Sequence, residues 1–258
     1  MSQNKFAGLP SAALETSERW TRVRYNGTVI ADSHHPQLLL IYGRGRLPTY
    51  YFAQDEVHME YLQEGDKQEI DELFGPTKYW HIAVGDKVGK NAGWSFTAPP
   101  QEFKELKDRI TFVWPKMDAW YEEEEEVFVH ARDPHKRVDV MRSSRHVRIE
   151  KEGVTIAESH QPHLLFETHL PVRYYVPREH VNFEVLEESG SHTRCPYKGT
   201  ADYWSIKIGD KQFKDLVWSY PDPIPENPKI KGLMAFLNEK LDIYVDGDLQ
   251  KKPVTPWS

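Results

Sequence analysis

Cys195 and Lys198, in the stretch Cys195-Pro196-Tyr197-Lys198-Gly199, form the most reactive-looking pair in the chain. An ammonium beside a thiol favours the thiolate, the form that acts as nucleophile or redox centre. The competing reading is a structural cysteine beside a Pro-Tyr turn. Arg194 adds a cation next to the pair, while His192 reads as a solvent-facing loop histidine. Arg178, followed by Glu179, could hold a carboxylate or phosphate in two-point contact, or be a surface ion pair. Tyr175, Trp204, Trp218 and Tyr220 could wall a site for a flat or cationic ligand. Core packing competes for the same rings, and strand alternation puts Tyr203 and Trp204 on opposite faces.

Several chemistries are excluded. Cys195 is the single cysteine, so there is no internal disulfide and no paired-cysteine zinc knuckle. Ser-His-Asp order, a Walker loop, a dinucleotide fingerprint and His-Glu-x-x-His are all missing. No metal or cofactor is expected. With 33 Lys+Arg against 40 Asp+Glu the net charge is −7, which argues against a dedicated nucleic-acid partner. No apolar run approaches the roughly 18 residues of a membrane span, and Met1–Lys5 lacks the apolar core of a signal peptide. The expected address is cytoplasmic, and the expected partner an unknown small molecule.

These residues sit in a tandem repeat. Asn26-Gly27-Thr28-Val29-Ile30-Ala31-Asp32-Ser33-His34 matches Glu152-Gly153-Val154-Thr155-Ile156-Ala157-Glu158-Ser159-His160. Tyr50-Tyr51 answers Tyr174-Tyr175, Tyr79-Trp80 answers Tyr203-Trp204, and Trp94-Ser95-Phe96 answers Trp218-Ser219-Tyr220. Period-two patterning around Glu152-Gly153 and Gly209-Asp210 predicts two hairpins per copy. Phe103, Leu106, Ile110 and Val113, like Ile230, Leu233, Met234 and Leu237, fall at helical spacing and predict a short helix near the end of each copy. The expected layout is a flexible tail over 1–18, a first domain over 19–126, a linker over 127–144, a second domain over 145–248 and a tail over 249–258. The Glu122–Glu126 run reads as a solvated acidic stretch. His34 and His160, present in both copies, read as turn histidines serving the fold.

Tyr174-Tyr175-Val176-Pro177-Arg178-Glu179-His180, Thr193-Arg194-Cys195-Pro196-Tyr197-Lys198-Gly199-Thr200 and Trp218-Ser219-Tyr220-Pro221 resemble the DUF427 family. The resemblance spans both copies. It implies a mainly β protein of two tandem β-tent (Mss4-like) domains, each with antiparallel sheets pinned at an angle. Relatives of that fold often pin the tent with four zinc-bound cysteines, which hydrophobic packing must replace here. The first copy has Asp71-Glu72-Leu73-Phe74-Gly75 opposite the Cys-Pro-Tyr-Lys-Gly block, so chemistry at that block belongs to the second copy. The family is also catalogued under a nucleotidyltransferase-like name. The nearest candidates for that chemistry, Ser189-Gly190-Ser191 and Asp246-Gly247-Asp248, fall in a predicted loop and tail.

The resulting expectation is a groove in the second domain that binds a small polar or aromatic molecule, lined by Tyr175, Trp204, Trp218 and Tyr220. The alternative is an enzyme in which Cys195 reacts, Lys198 tunes it and Arg178 holds an anionic group. A third reading is an interaction scaffold using both copies.

Overall fold

The computed structural model describes residues 12–42, 46–255 and 258, and this chain divides into two compact units between Asp133 and Pro134. Both are mainly β and antiparallel, with short 3-10 turns and no α-helix among the described residues. None of the helical turns is long and apolar enough to cross a membrane.

The second unit has a seven-stranded sheet in the order Val138–Arg142, His163–Glu167, Arg173–Val176, Met234–Phe236, Lys211–Ser219, Gly199–Ile208, Leu186–Cys195. A four-stranded sheet runs Val154–Ser159, Val147–Lys151, Asp242–Val245, Asp248–Leu249. The hairpins predicted at Glu152-Gly153 and Gly209-Asp210 both form. Alternation sends Val147, Ile149, Ile243 and Val245 of the small sheet against Tyr174, Val176, Trp204, Ile206 and Phe236 of the large one, giving the main core. The opposite face of the large sheet carries a second, smaller core of Val140, Leu165, Tyr175, Ala201, Tyr220, Ile230 and Ala235.

The first unit repeats this plan. Its large sheet runs Ala12–Thr16, Gln37–Ile41, Thr49–Tyr51, then Thr111–Phe112, Lys87–Phe96, Gly75–Val84 and Leu62–Glu64. The two halves join through reciprocal backbone hydrogen bonds of 2.8 Å between Phe52 and Ile110. Val23, Ile30, Tyr50, Trp80, Ile82 and Trp120 fill the main core, and Ala12, Leu39, Tyr51, Phe74, Phe96 and Leu106 fill the outer one.

Five expectations are corrected. The short helices form only as 3-10 turns, Gln101–Leu106 and Pro228–Ile230, and Met234–Phe236, expected to continue the second, is a strand. Gly232, at φ 69°, ends the second turn before a helix can propagate, and Met234–Phe236 instead bonds to strands on both sides. The expected N-terminal tail contains the strand Ala12–Thr16, paired with Gln37–Ile41; residues 1–11 lie outside the described residues. The expected linker contains Val138–Arg142, whose valines join the outer core, and Leu249 of the expected C-terminal tail pairs with Tyr244. The acidic run folds into a hairpin of Ala119–Glu122 with Glu125–Val127, turning at Glu123. Its first member is buried there, where Glu122 accepts hydrogen bonds from Tyr50 at 2.8 Å and Arg19 at 2.7 Å.

Candidate functional site: the outer face of the second unit

The Cys-Pro-Tyr-Lys-Gly block is a hairpin turn between Leu186–Cys195 and Gly199–Ile208. Pro196 sits at the second turn position, the Lys198 amide donates to the Cys195 carbonyl at 3.2 Å, and Gly199 follows at φ 107°. A Cβ at Gly199 would lie 3.2 Å from the Asp222 carbonyl oxygen, so backbone geometry and close approach both demand glycine. The segment after Tyr220 crosses over this turn. The Ile224 amide donates to the Lys198 carbonyl at 3.1 Å and the Asn227 side chain to the Tyr197 carbonyl at 2.7 Å.

That turn points the Lys198 side chain into the sheet's outer face, where it is buried. Its ammonium donates to Glu167 Oε2 at 2.5 Å and lies 3.8 Å from the Cys195 sulfur. Lys136 holds the other carboxylate oxygen at 2.9 Å, and its Nζ lies 5.0 Å from the centre of the Tyr197 ring. One carboxylate between two ammoniums leaves the cluster one positive charge in excess. Burial pushes the Glu167 carboxyl up, but the two lysines outweigh it and hold it below its ordinary value. Burial works against the Lys198 ammonium as well, yet Glu167 raises it above the ordinary lysine value. Lys198 is therefore a fixed positive charge and not a proton acceptor near neutral pH.

Tyr175 stands beside this pair on the neighbouring strand. Its hydroxyl is buried without a well-formed hydrogen bond, the Trp218 indole acting on it only as a weak donor. Burial pushes the phenol up to about 12. Tyr220 is likewise driven well above the ordinary tyrosine value by burial and by its neighbours Tyr175 and Cys195. Tyr203 and Trp218, rings 6.5 Å apart, are only half-buried, as is Cys195, so the cluster opens to solvent on that side. A second buried pair flanks it: Arg173 donates to both oxygens of Glu239 at 2.7 and 2.8 Å, beneath Trp218.

The structure thus brings together Cys195, Lys198, Tyr175, Trp218 and Tyr220. It does not bring Arg178 or Trp204 to them. Trp204 alternates onto the inner face and packs in the main core, and the exposed Arg178 guanidinium lies 4.3 Å from the Phe183 ring centre and 5.5 Å from that of Trp204. The expected groove lined by all seven residues is therefore two separate places on opposite faces of one sheet. Neither the hollow lined by Tyr174, Asn238 and Ile243 nor the one lined by Gln54, Lys104 and Arg109 touches the Cys195 cluster, which is a polar and aromatic face with its charges sunk beneath. His160 stacks on His146 at 4.3 Å, and His34 on Trp20 at 5.2 Å. Asp246 and Gly247 form the turn of the last hairpin, Asp246 accepting from the His146 amide, and Ser191 donates to Asp215. Among the described residues no group of three His, Cys, Asp or Glu side chains could hold a metal ion.

Glu167, Lys136, Arg173 and Glu239 were not singled out by motif. The repeat carried a signal for the first: Glu167 ends His163-Leu164-Leu165-Phe166-Glu167 where the first copy has Gln37-Leu38-Leu39-Leu40-Ile41, and Lys198 stands where the first copy has Phe74. Two charges of opposite sign replace two apolar residues at facing positions.

A family model described as a domain of unknown function (DUF427) matches residues 13–123 and again 139–247. The chain belongs to the DUF427 family. Each match begins within the edge strand that joins its outer core, Ala12–Thr16 or Val138–Arg142, so both strands are part of the DUF427 repeat. No curated protein matches the chain.

Proposed function

We propose that the second DUF427 copy binds a small molecule with an anionic group and a flat body on the outer face of its large sheet, at Cys195, Lys198, Tyr175, Trp218 and Tyr220. The observation that carries this reading is the difference between the copies. The first reaches the same fold with Ile41 and Phe74 packed in an apolar outer core, whereas the second sinks Glu167 and Lys198 there. A buried ion pair commonly gives no more stability than well-packed apolar residues of similar volume, so the fold alone does not call for it. The excess positive charge suits an anion, the half-buried Tyr203 and Trp218 rings suit a flat body, and the buried Tyr175 hydroxyl is a donor in want of an acceptor.

The test is a thermal-shift screen of the full chain against nucleotides, amino acids, aromatic acids and cyclic imides. The comparison protein carries the first copy's pair, Lys198→Phe with Glu167→Ile. A ligand at 100 times its Kd should add about 2.7 kcal/mol to the folded state. A hit that disappears in the double variant supports the reading, and one that shifts both proteins equally overturns it.

A second reading rests on the 3.8 Å between the Lys198 ammonium and the half-buried Cys195 sulfur. Cys195 would then act as a nucleophile towards the bound molecule, with the Lys198 ammonium beside its sulfur. Alkylation by iodoacetamide at pH 7 several-fold faster than in the urea-unfolded chain would favour turnover. A slower rate than in the unfolded chain leaves binding alone.

A further inference from the structure

On the other side of the same unit lies a hollow of about 180 Å³, walled by Pro171, Val172, Tyr174, Leu241 and Ile243, with Gln250, Lys251 and Pro253 at its rim. It lies where Tyr174 of the large sheet faces Ile243 of the small one, and it includes none of the outer-face residues. Asn238 also lines it. The Asn238 amide nitrogen donates to the Val172 carbonyl at 2.9 Å, which fixes the amide so that its oxygen is the remaining atom. That oxygen is buried and has no hydrogen-bond partner, on a residue only 8% exposed. An orphaned buried acceptor is unfavourable, so something is gained when a donor reaches it.

The first copy shows what the same place looks like when filled. By the repeat register Trp114 stands where the second copy has Asn238. The Trp114 indole lies flat on Trp120 at 4.1 Å, with its N–H donating to Thr49 at 2.9 Å. It also packs against the main core. In the second copy a short amide replaces that indole, which takes away a bicyclic ring and leaves a buried acceptor without a partner behind the wall.

We infer that the hollow bounded by Tyr174, Asn238, Leu241 and Ile243 is a second binding site, which takes a small aromatic molecule carrying an N–H or O–H donor directed at Asn238 Oδ1. The size fits: a cavity of about 150 Å³ lined by aliphatic and aromatic side chains accommodates a benzene ring. The walls supply apolar contact and the amide oxygen selects for a donor over a plain hydrocarbon. This site is independent of the outer-face reading and stands on the opposite side of the large sheet.

The experiment uses indole and 1-methylindole as probes, with binding to the full chain measured by saturation-transfer NMR titration. Indole should bind in the high-micromolar to millimolar range, and 1-methylindole, which lacks the donor, about 5- to 10-fold more weakly, the factor one hydrogen bond of about 1 kcal/mol gives. Asn238→Trp, which restores the first copy's residue, should abolish binding. Equal affinity for the two probes in the unaltered protein overturns the role of Asn238, whatever the variant does. Absence of indole binding, or binding untouched in a folded Asn238→Trp protein, overturns the site. Indole binding that is lost in the Lys198→Phe, Glu167→Ile protein but kept in Asn238→Trp would place the probe on the outer face and overturn it too.

Discussion

The outer faces of the two large sheets have the same frame and opposite contents. In the first unit Phe74, Phe96, Trp94 and Tyr51 meet ring to ring, Phe74 and Phe96 at 5.0 Å and Trp94 and Phe96 at 4.9 Å. In the second the equivalent positions are Lys198, Tyr220, Trp218 and Tyr175, and Glu167 stands in place of Ile41. The turn that delivers Phe74 is capped by Asp71, whose carboxylate accepts from the Leu73 and Phe74 amides and also pairs with Arg46. The turn that delivers Lys198 begins with Cys195, which has no such capping carboxylate and leaves a thiol beside an ammonium. Gly75 and Gly199 close the two turns, both at positive φ and both against a carbonyl of the crossing segment. Backbone geometry is thus held constant while the side chains change from an aromatic core to a charged cluster.

The largest effect should come from separating the charges. Glu167→Leu leaves the buried Lys198 ammonium without its carboxylate and should destabilise the second unit by about 3–5 kcal/mol, read as faster hydrogen exchange in peptides of residues 138–247. Lys198→Met should cost less, because Lys136 remains on Glu167. Replacing both with the first copy's residues, Lys198→Phe and Glu167→Ile, should recover stability to within about 2 kcal/mol of the unaltered chain. If the double variant is as unstable as Glu167→Leu, the two outer faces are not interchangeable and the comparison fails.

Next in size, Gly199→Ala and Gly75→Ala should each cost about 1–3 kcal/mol, because both place a side chain in the left-handed region against a backbone carbonyl. Similar losses in the two units, measured by the same exchange experiment, would show that the turn belongs to the fold and not to the chemistry. A loss confined to Gly199 would break that inference.

A smaller, pH-dependent difference should follow from Glu167. Its carboxyl lies lower in the folded state than in the unfolded chain, so its contribution is present above the ordinary glutamate range near 4.5 and disappears as pH falls through the lower folded value. Acid should therefore weaken the outer face of the second unit, and the Lys198→Phe, Glu167→Ile protein should lose that part of the response. Glu239, also held low by Arg173, keeps its own share in both proteins. The smallest expected change is Cys195→Ala, within about 1 kcal/mol, since the thiol is half-buried and the Lys198 ammonium beside it is held by Glu167. A larger loss would assign Cys195 to the packing.

The sequence by itself determined the duplication, the β-rich plan and the hairpins, because strand alternation and turn residues are local and each copy confirms the other. It also isolated Cys195-Pro196-Tyr197-Lys198-Gly199 as the feature kept by one copy alone. Alternation foretold that Tyr203 and Trp204 part company. It could not place Arg178, which precedes Phe183 in a run of 3-10 turns where period two does not apply. The helical spacing of Ile230, Leu233 and Met234 misled for a related reason: a three-residue strand bonded on both sides by distant segments outweighs a local apolar stripe. Only the tertiary structure joined Lys198 to Glu167 and Lys136, from three separate segments, because a buried charge is settled by what the folding chain brings within hydrogen-bond reach. The hollow beside Asn238 was decided there too, since a missing volume has no residue of its own to mark it in the sequence.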